Sequence, residues 1–481
     1  MPPLTHWIGG RAVAGQGPSI PVLNPATAQP LAVLAEATPD QVRAAVTAAR
    51  AAFDTGPWPH TPVPDRQAIL RRAAAAIRAD TDALAELQVA EGGMPRAAVL
   101  RQVAAAAGWF DYYADFLTTE AGHTHRQLGP VTTLVERVPI GVCALYSPWN
   151  VPLGLTAIKL APALAAGNTV VLKPSEETPA TVRRLVDLVH GAGLPGGVLN
   201  CVNGRGPVTG AALADHPGID MISFTGGPQG GASVAQAAAR RHVPCVMELG
   251  GKSATVIFAD ADLDAALDGA LGMAYGSNGQ ACLAGSRLIL DAAIVDGFLA
   301  RFRARAEALT LGDPTDPATD IGPLISTRHR DVVLGFYDSA RADGDTILFG
   351  GPDAGLTPGF HVRPGAIRVR STASRVWRAE VFGPLVAVAT FDTEPQAIAL
   401  ANDSDHGLSG YLWTRDLGRA MRVSRAIRTG TIVVNSPFLR DLNAPFGGFK
   451  ASGVGREGGA YSWHNFTEAK TTVIHHGEPP C

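Results

Sequence analysis

The sequence predicts an α/β protein in which parallel β-sheets are covered by helices on both faces. From Val142 onward, short apolar strands alternate with segments of helical periodicity, which is typical of βαβ units. The strands are almost continuously apolar, as expected for strands buried on both faces. The chain has 481 residues, which is enough for two or three such domains.

Composition narrows the class of protein. Hydrophobic residues make up 46% and charged residues 17%, which suits a globular protein with large cores. The net charge of −3 gives no electrostatic reason to expect nucleic acid or a membrane surface as a partner. The five cysteines are widely spaced and form no C-x-x-C, which argues against a disulfide framework or a metal site. No signal-like segment and no apolar run of about 18 residues is visible, so we expect a cytoplasmic protein.

The first third of the chain predicts a mostly helical region. Residues 1–35 are rich in Pro and Gly and predict short strands and turns, and a helix follows from Thr38. One longer helix is predicted from Asp65 to the glycines after Glu91, and another over 96–118. Residues 131–138 alternate in polarity and predict an exposed strand.

The alternating region predicts one parallel sheet followed by a second α/β unit. The predicted strands of the first sheet are Val142–Tyr146, Thr169–Leu172, Val198–Val202, Ile219–Phe224 and Pro244–Met247. Thr178 and Pro179 are typical of a helix start, with Thr178 as the cap. Ligands bind beyond the carboxyl ends of such strands, so we expect a site among the loops 147–150, 173–176, 224–231 and 248–252. The second unit begins after Gly251, and a terminal strand is predicted over 465–476.

Two residues in Gly-rich loops form a candidate base and nucleophile. Glu248 opens the run Glu248-Leu-Gly-Gly-Lys252, and Cys282 ends the run Gly-Gln-Ala-Cys. A thiol attacks as its thiolate, and a carboxylate can take a proton from it or from water. The alternative is two ordinary turns, one of which packs a small buried cysteine.

Three further loops carry polar groups that suit a ligand. The Gly-rich turn from Phe224 to Gly231 opens a helix, where backbone N–H groups can hold phosphate, although it lacks the G-x-G-x-x-G pattern. Glu176 could hold ribose hydroxyls, and Lys173 could hold the same ribose or a phosphate. The amide of Asn150 could stabilise an oxyanion. The alternative for the Gly-rich turn is an ordinary tight turn. The alternative for Lys173 and Glu176 is a solvated loop with a helix-capping carboxylate, and that for Asn150 is an asparagine in a turn.

Together these segments resemble the NAD(P)-dependent aldehyde dehydrogenase superfamily over nearly the whole chain. Seven motifs occur in the family's order and spacing: Pro148-Trp-Asn150, Lys173-Pro-Ser-Glu176, Phe224-Thr-Gly226, Glu248-Leu-Gly-Gly-Lys252, Gly279-Gln-x-Cys282, Glu380-x-Phe-Gly-Pro384 and the run from Pro445 to Glu457. The resemblance implies a Rossmann-like NAD-binding domain (1–120 and 140–248), an α/β catalytic domain (249–450) and a small β oligomerisation arm (121–139 and 465–481).

The resemblance also implies catalytic roles. Cys282 would attack the aldehyde carbonyl, and the oxyanion would be held by the Asn150 amide and the Cys282 backbone N–H. Hydride transfer to the nicotinamide would leave a thioester, which water activated by Glu248 would hydrolyse. Lys159 and Glu468 match positions thought to assist proton relay.

For the cofactor, the resemblance implies NAD, with NADP also allowed. Lys173 and Glu176 would bind the adenosine ribose, where Glu176 would repel a 2′-phosphate. Glu380 would hold the nicotinamide ribose, with Phe382 packed nearby. The remaining expected cofactor contacts are Ser147, Trp149, Phe224, Gly226, Gly227, Gly231 and Leu249. A serine commonly follows the Thr-Gly pair in the family, whereas this chain has Gly227 and Pro228, so one hydroxyl contact to the pyrophosphate should be missing.

The substrate side is less specific. Val151, Leu155 and Ile158 fall where many relatives carry bulkier side chains, which suggests a wider, less aromatic tunnel. Arg440 falls near the substrate-anchoring segment and could bind a distal carboxylate, as in a semialdehyde acid. The alternative is an exposed arginine paired with Asp441.

The prediction is therefore an aldehyde dehydrogenase that acts as a homodimer or homotetramer, since an exposed alternating arm invites pairing across subunits. One alternative is a CoA-acylating aldehyde dehydrogenase, whose members usually lack the Glu248 base. Others are a non-catalytic binding protein on the same scaffold and a cofactor-independent thiol hydrolase.

Overall fold

The computed structural model describes residues 3–351 and 358–477. Its strands are β1 (Thr5–Ile8), β2 (Arg11–Ala14), β3 (Ser19–Asn24), β4 (Gln29–Ala35), β5 (His123–His125), β6 (Val131–Pro139), β7 (Val142–Tyr146), β8 (Thr169–Lys173), β9 (Leu199–Cys201), β10 (Met221–Thr225), β11 (Cys245–Glu248), β12 (Ala254–Ile257), β13 (Arg287–Asp291), β14 (Thr346–Gly351), β15 (Arg363–Arg368), β16 (Leu385–Phe391), β17 (His406–Gly407), β18 (Ser409–Trp413), β19 (Thr431–Val434), β20 (Phe449–Lys450), β21 (Gly453–Val454) and β22 (Thr467–His475).

The helices cover both large sheets. They are α1 (Pro39–Asp54), α2 (Val63–Ala79), α3 (Thr81–Gly92), α4 (Arg96–Phe116), α5 (Pro152–Ala165), α6 (Pro179–Gly191), α7 (Ala211–Ala214), α8 (Pro228–Arg240), α9 (Leu263–Tyr275), α10 (Val295–Glu307), α11 (Thr327–Asp343), α12 (Arg375–Arg378), α13 (Glu394–Asn402), α14 (Leu417–Ala426) and α15 (Gly459–Asn465). Within the described ranges, none of them is long and apolar enough to cross a membrane.

The first large sheet has eight strands in the order β2-β1-β9-β8-β7-β10-β11-β21. Its five central strands, from β9 to β11, are parallel, and the chain visits them in the doubly wound order 3-2-1-4-5. The order reverses between β7 and β10, so the loops after these two strands flank the crevice at the switch point. The predicted α/β class is confirmed, and the predicted ligand loops lie at this carboxyl edge.

The second large sheet has seven strands in the order β14-β15-β16-β13-β12-β18-β19. All neighbours are parallel except the pair β14 and β15. The chain enters β12 directly from β11 through the loop 249–253. The amino ends of β12, β13 and β16 therefore face the carboxyl edge of the first sheet across this loop, and the predicted site lies between them.

A third, small sheet has the order β22-β6-β5. β6 and β22 pair antiparallel along their full length, from Thr467 opposite Pro139 to His475 opposite Val131. Most side chains of β22 are exposed, including Val473 and Ile474. The strand predicted over 465–476 is thus present with nearly those bounds, while residues 478–481 of the expected arm lie outside the described residues.

One local prediction about helices was wrong, and another is confirmed in position but not in its hydrogen bond. The single helix expected from Asp65 to Glu91 is broken at Asp80 into α2 and α3. Thr178 occupies the cap position of α6, but its hydroxyl makes no capping hydrogen bond. Instead, the buried carboxylate of Glu91 accepts hydrogen bonds from the Ala180 N–H at 2.7 Å and the Thr181 N–H at 2.9 Å. A carboxylate from α3 therefore satisfies the open N–H groups of α6 and ties the two helices together.

Candidate active site

The Glu248-Leu-Gly-Gly-Lys252 run forms the turn between the two large sheets. A Cβ atom on Gly250 would lie 2.1 Å from a carboxylate oxygen of Glu380, and one on Gly251 would lie 2.1 Å from the carbonyl oxygen of Cys282. Neither position can carry a side chain without displacing its neighbour. The two glycines thus allow the turn that carries the predicted base, the loop that carries the predicted nucleophile and the Glu380 segment to approach one another closely.

Cys282 follows a strained loop that is fixed from three sides. Ser277, Asn278 and Gly279 all have positive φ, which is rare for residues with side chains. The buried amide of Asn278 donates to the carbonyls of Gly93 and Pro323 at 3.0 and 2.9 Å. Its oxygen accepts from the Gly322 N–H at 2.8 Å. These bonds, which sequence reasoning did not predict, hold the loop in place ahead of the thiol.

Cys282 is half-buried, and protein atoms surround its thiol. Burial, with the negative charges of Glu380 and Glu248, raises its pKa to about 12. The charge of Arg440 and a hydrogen bond from the Leu283 N–H act in the opposite direction. In this state the group is held mainly as the neutral thiol.

Asn150 reaches the loop that carries the predicted nucleophile, Cys282. Its side-chain N–H donates to the carbonyl of Gln280 at 2.9 Å, two residues before Cys282. An amide nitrogen carries two N–H donors, so one remains for a ligand. Within residues 3–351 and 358–477, the Cys282 backbone N–H makes no hydrogen bond to another residue. Both predicted oxyanion donors therefore have a free N–H.

Glu248 ends β11 with a buried carboxylate. Neither carboxylate oxygen has a hydrogen-bond partner among the described residues. Burial raises its pKa well above the usual value, and the charge of Glu457 raises it further, while Lys159, Arg456 and Arg440 lower it. Gly447 lies so close that a Cβ there would be 2.5 Å from one carboxylate oxygen. Unpartnered oxygens in a closed polar space are suited to holding a water molecule.

A buried ion pair next to Glu248 corrects one prediction. Lys159, fully buried, donates to Glu457 and, at 3.0 Å, to the Ser223 hydroxyl, which itself donates to Glu457 at 3.0 Å. Glu468, predicted to act with Lys159, is exposed on β22 opposite Val138. The partner of Lys159 is therefore Glu457. It ends the Pro445–Glu457 run, and a carboxylate closing a Gly-rich motif was the available signal.

The predicted adenosine-ribose residues lie at the end of β8. The Lys173 ammonium is buried, donates to the Pro174 carbonyl at 2.8 Å and lies 3.7 Å from the Glu176 carboxylate. Burial lowers the pKa of Lys173, with Glu176 opposing that shift. Ser147, after β7, hydrogen-bonds through its N–H to the Lys173 carbonyl at 3.2 Å, and its hydroxyl has no partner among the described residues.

The Gly-rich turn after β10 packs on its own aromatic residue. Cβ atoms on Gly226 and Gly230 would lie 2.7 and 3.0 Å from the ring of Phe224, and one on Gly231 would lie 2.5 Å from Leu249. Gly227 caps α8 without a side-chain hydrogen bond, and the space around its Cβ position is open. The first N–H groups of α8 are thus uncovered, which is the arrangement that binds phosphate at helix N-termini.

Glu380 and its neighbours line the side of the crevice opposite the Gly-rich turn. The Glu380 carboxylate accepts from the Gly251 N–H at 2.9 Å, and burial raises its pKa to about 7. Lys252, buried with no hydrogen-bond partner for its ammonium among the described residues, has its pKa lowered to about 7. Phe382 packs edge-on against Trp149, with ring centroids 5.2 Å apart.

Arg440 is exposed, as in the alternative interpretation, but it is not paired with Asp441. Its guanidinium lies over the ring of Phe446 at 4.2 Å, with Phe438 and Trp109 at 5.6 and 5.9 Å. Among the described residues no ion pair joins it to Asp441, whose carboxylate instead accepts from the Asn443 N–H at 2.9 Å. The side chain touches solvent although protein atoms surround the guanidinium, and that burial lowers its pKa.

The three expected tunnel residues of α5 divide into two groups. Val151 and Leu155 are half-buried at the start of the helix, whereas Ile158 is fully buried in the core of the first sheet. The aromatic rings near Arg440 come from α4 and from the 438–446 segment. Apolar side chains on α5 are thus accompanied by aromatic side chains supplied from elsewhere in the chain.

A dinucleotide fits this crevice. Open helix N–H groups lie at Gly227, unpartnered buried hydroxyls belong to Ser147 and Thr225, and carboxylates stand at either end in Glu176 and Glu380. Fold and site together define a doubly wound dinucleotide-binding oxidoreductase whose crevice adjoins the Cys282 loop. The chain belongs to the aldehyde dehydrogenase family, whose model matches residues 12–472.

The chain is 40% identical to the 2-hydroxymuconic semialdehyde dehydrogenase of Pseudomonas sp. (strain CF600), covering 98% of this chain and all of that relative. It is 39% identical to a betaine aldehyde dehydrogenase of Cereibacter sphaeroides (strain ATCC 17029 / ATH 2.4.9), covering 98% of each. The NAD⁺ complex of an aldehyde dehydrogenase from Bacillus cereus superposes with a TM-score of 0.96 at 34% identity, covering 98% of this chain and 96% of that one.

Proposed function

We propose that this chain oxidises an aldehyde to its carboxylic acid with NAD, and that Cys282, Glu248 and Asn150 carry the reaction. The observation that carries this proposal is the meeting of three loops at Cys282. Asn150 bonds to the loop before the thiol, and Gly251 packs on the Cys282 carbonyl. The charge of Glu248 acts on the thiol. The NAD⁺ complex of the Bacillus cereus relative supports NAD as the cofactor.

In this proposal Cys282 forms the thiohemiacetal with the aldehyde and later carries the acyl group as a thioester. The Asn150 amide and the Cys282 N–H donate to the oxyanion, where fixed donors are worth most because water is excluded. NAD, when bound, supplies the hydride acceptor. Its holding groups are Lys173 and Glu176 at the adenosine ribose and Glu380 at the nicotinamide ribose.

Glu248 acts in the second half of the reaction. Its unpartnered oxygens are available to position a water molecule and take its proton during thioester hydrolysis. The buried Lys159–Glu457 pair lies within electrostatic reach of this carboxylate and offers a polar route for that proton. Retention of Glu248 favours release of free acid over transfer of the acyl group to CoA.

The test is a screen of aldehydes for NADH production by the wild-type chain and by Cys282→Ala, with product analysis for acid and acyl-CoA. We expect NADH and free acid from the wild type and neither from Cys282→Ala. Full oxidising activity in Cys282→Ala would refute the nucleophile assignment. Acyl-CoA as the main product would move the chain to the CoA-acylating class.

For the substrate, we propose an aldehyde that bears a carboxylate, as in the semialdehyde named for the Pseudomonas relative. Arg440 supplies the positive charge that this carboxylate would need. Its side chain reaches solvent, and its charge interacts with that of the Cys282 thiolate. A guanidinium binds a carboxylate strongly, often through two hydrogen bonds. A cationic aldehyde such as betaine aldehyde is disfavoured, because the arginine already occupies the aromatic faces that would bind an ammonium group.

This substrate class is tested with an ω-oxo carboxylic acid and its methyl ester, which differ only in the charge. Arg440→Ala should raise the KM for the acid by about tenfold or more while leaving that of the ester nearly unchanged, since a charge-assisted hydrogen bond is worth about 1.5–3 kcal/mol. Equal changes for the two substrates would exclude Arg440 as the anchor.

We further propose a cytoplasmic homodimer or homotetramer with the domain division given above. The exposed apolar residues Val473 and Ile474 on the arm support association, as does the unpaired outer edge of β19. Four described cysteines are free, which fits a reducing compartment. A species of only monomer mass by light scattering at micromolar concentration would refute the oligomer.

A further inference from the structure

Phe382 has a backbone conformation that its side chain disfavours. Its φ is +55°, in the left-handed region that is uncommon for residues other than glycine and unusual for a bulky aromatic one. Strain of this kind persists only where surrounding groups hold it, and it is concentrated at functional sites. The residue lies two positions after Glu380, so its conformation determines how the Glu380 segment approaches the crevice.

His329, on the first turn of α11, supplies the holding contact. Its Nε2 lies 2.7 Å from the carbonyl oxygen of Phe382. A carbonyl can only accept, so Nε2 carries the proton and donates. Its ring also packs edge-on against Trp149 and Phe382, with centroids 5.6 and 6.0 Å apart. Burial lowers the pKa of His329, which keeps the imidazole neutral at physiological pH.

The next turn of α11 continues this contact. A Cβ on Gly383 would lie 2.7 Å from the side chain of Val333, which is four residues after His329 and on the same face of the helix. On its other side, Gly383 meets Gly279 of the nucleophile loop, where a Cβ would lie 2.3 Å from the Gly383 carbonyl carbon. The strained turn is thus held between α11 and the loop that leads to Cys282.

We infer that His329 is a positioning residue that holds the left-handed turn at Phe382 and thereby places Glu380 for the nicotinamide ribose. The inference rests on the proposed function, because it takes Glu380 as a ribose ligand. Nothing in the contact requires His329 to touch the cofactor. Its effect should therefore be seen in NAD affinity and should depend on the presence of the Glu380 carboxylate.

The experiment measures the Kd of NAD by titration calorimetry for two complementary variants. His329→Phe keeps a ring between Trp149 and Phe382 but cannot donate, whereas His329→Gln keeps a donor without the ring. We expect His329→Phe to raise the Kd by about three- to tenfold, as for a lost hydrogen bond, and His329→Gln to recover most of that loss. The KM for aldehyde should stay within about twofold. His329→Leu replaces His329→Phe if the latter does not fold.

A double-mutant cycle with Glu380→Gln separates this inference from the proposed function. The matched control is Arg330→Gln, a partly exposed neighbour on α11 paired with Asp331 at 3.0 Å, and its Kd should not change. If His329→Phe has no further effect on Kd once Glu380 is replaced, the inference stands. Additive effects of the two substitutions would overturn the inference about His329 and leave the ribose role of Glu380 intact. A normal Kd in His329→Phe, with weak NAD binding in Glu380→Gln, would do the same. A normal Kd in Glu380→Gln would overturn the ribose role as well.

Discussion

Replacing Glu248 by Gln should stop the reaction at the thioester. Glutamine keeps the size of the side chain, which matters because the Gly447 backbone lies so close that a Cβ there would be 2.5 Å from the carboxylate. It removes the proton acceptor while leaving Cys282 and the contacts of Asn150 unchanged. The first half of the reaction should proceed, and the acyl group should remain on the thiol.

The magnitude follows from the isolation of this carboxylate. Neither oxygen is bonded to another described residue, and the nearby carboxylate of Glu457 already accepts from Lys159 and Ser223. Loss of a positioned general base costs about 10²–10⁴ in rate, which is about 3–5 kcal/mol in the barrier to hydrolysis. The pKa of Glu248 is raised, so the wild-type carboxylate becomes protonated at a higher pH than an ordinary glutamate. The steady-state rate should therefore fall as the pH is lowered, and this fall should begin above the ordinary glutamate range.

Stopped-flow absorbance of NADH is the direct assay. The variant should give a burst of one NADH per active site at the wild-type rate, followed by turnover slowed about 10²–10⁴-fold. Glu307→Gln is a matched control, since that carboxylate is exposed and paired with Arg303 at 2.9 Å, and it should behave as wild type. Steady turnover within about twofold of wild type, or loss of the burst itself, would refute the division of roles.

Three further changes have defined outcomes. The pKa of Cys282 is raised to about 12, so the rate of its alkylation by iodoacetamide should increase about tenfold for each pH unit between pH 7 and 10. Peptide mass spectrometry measures this rate, and a rate that does not change with pH would contradict the raised pKa. Gly251→Ala should cost about 1–3 kcal/mol in the free energy of unfolding and suppress the burst, whereas Gly272→Ala, with open space inside α9, should not destabilise the chain. Lys159→Met should lower the free energy of unfolding in urea by about 3–5 kcal/mol, because it leaves Glu457 buried and unpaired. Adding Glu457→Gln should recover much of that loss. Additive losses in the double variant would contradict the pairing.

The parts of the fold that could be predicted are those coded locally. Alternation of apolar strands and helices predicted the central strands of the first sheet, since periodicity and buried strand composition act within one element. Residues at strand ends, such as Lys173 and Glu248, could be placed in one crevice because parallel strands share a carboxyl edge.

The contacts that sequence reasoning missed join distant segments. Glu457 lies 298 residues after Lys159, and Glu91 caps a helix that starts almost 90 residues later. The Gly-rich run that Glu457 closes was a local signal in its favour over Glu468, but its burial beside Lys159 depends on the strand β21 folding back onto β11. Arg440 was similarly ambiguous, since its aromatic surroundings come partly from α4.

The pairing of β21 with β11 has a consequence for the folding of the protein during its synthesis. Strand β21 closes the edge of the first sheet beside β11, and the Asn168 amide of the same unit donates to the Phe466 carbonyl at 2.8 Å. A ribosome delivers these last segments only after the whole second sheet has been synthesised. Until then Lys159 would be a buried charge without its partner, which is costly enough to keep the first unit open. Completion of the crevice should thus be among the final steps of folding, so that an unfinished chain cannot present an assembled site.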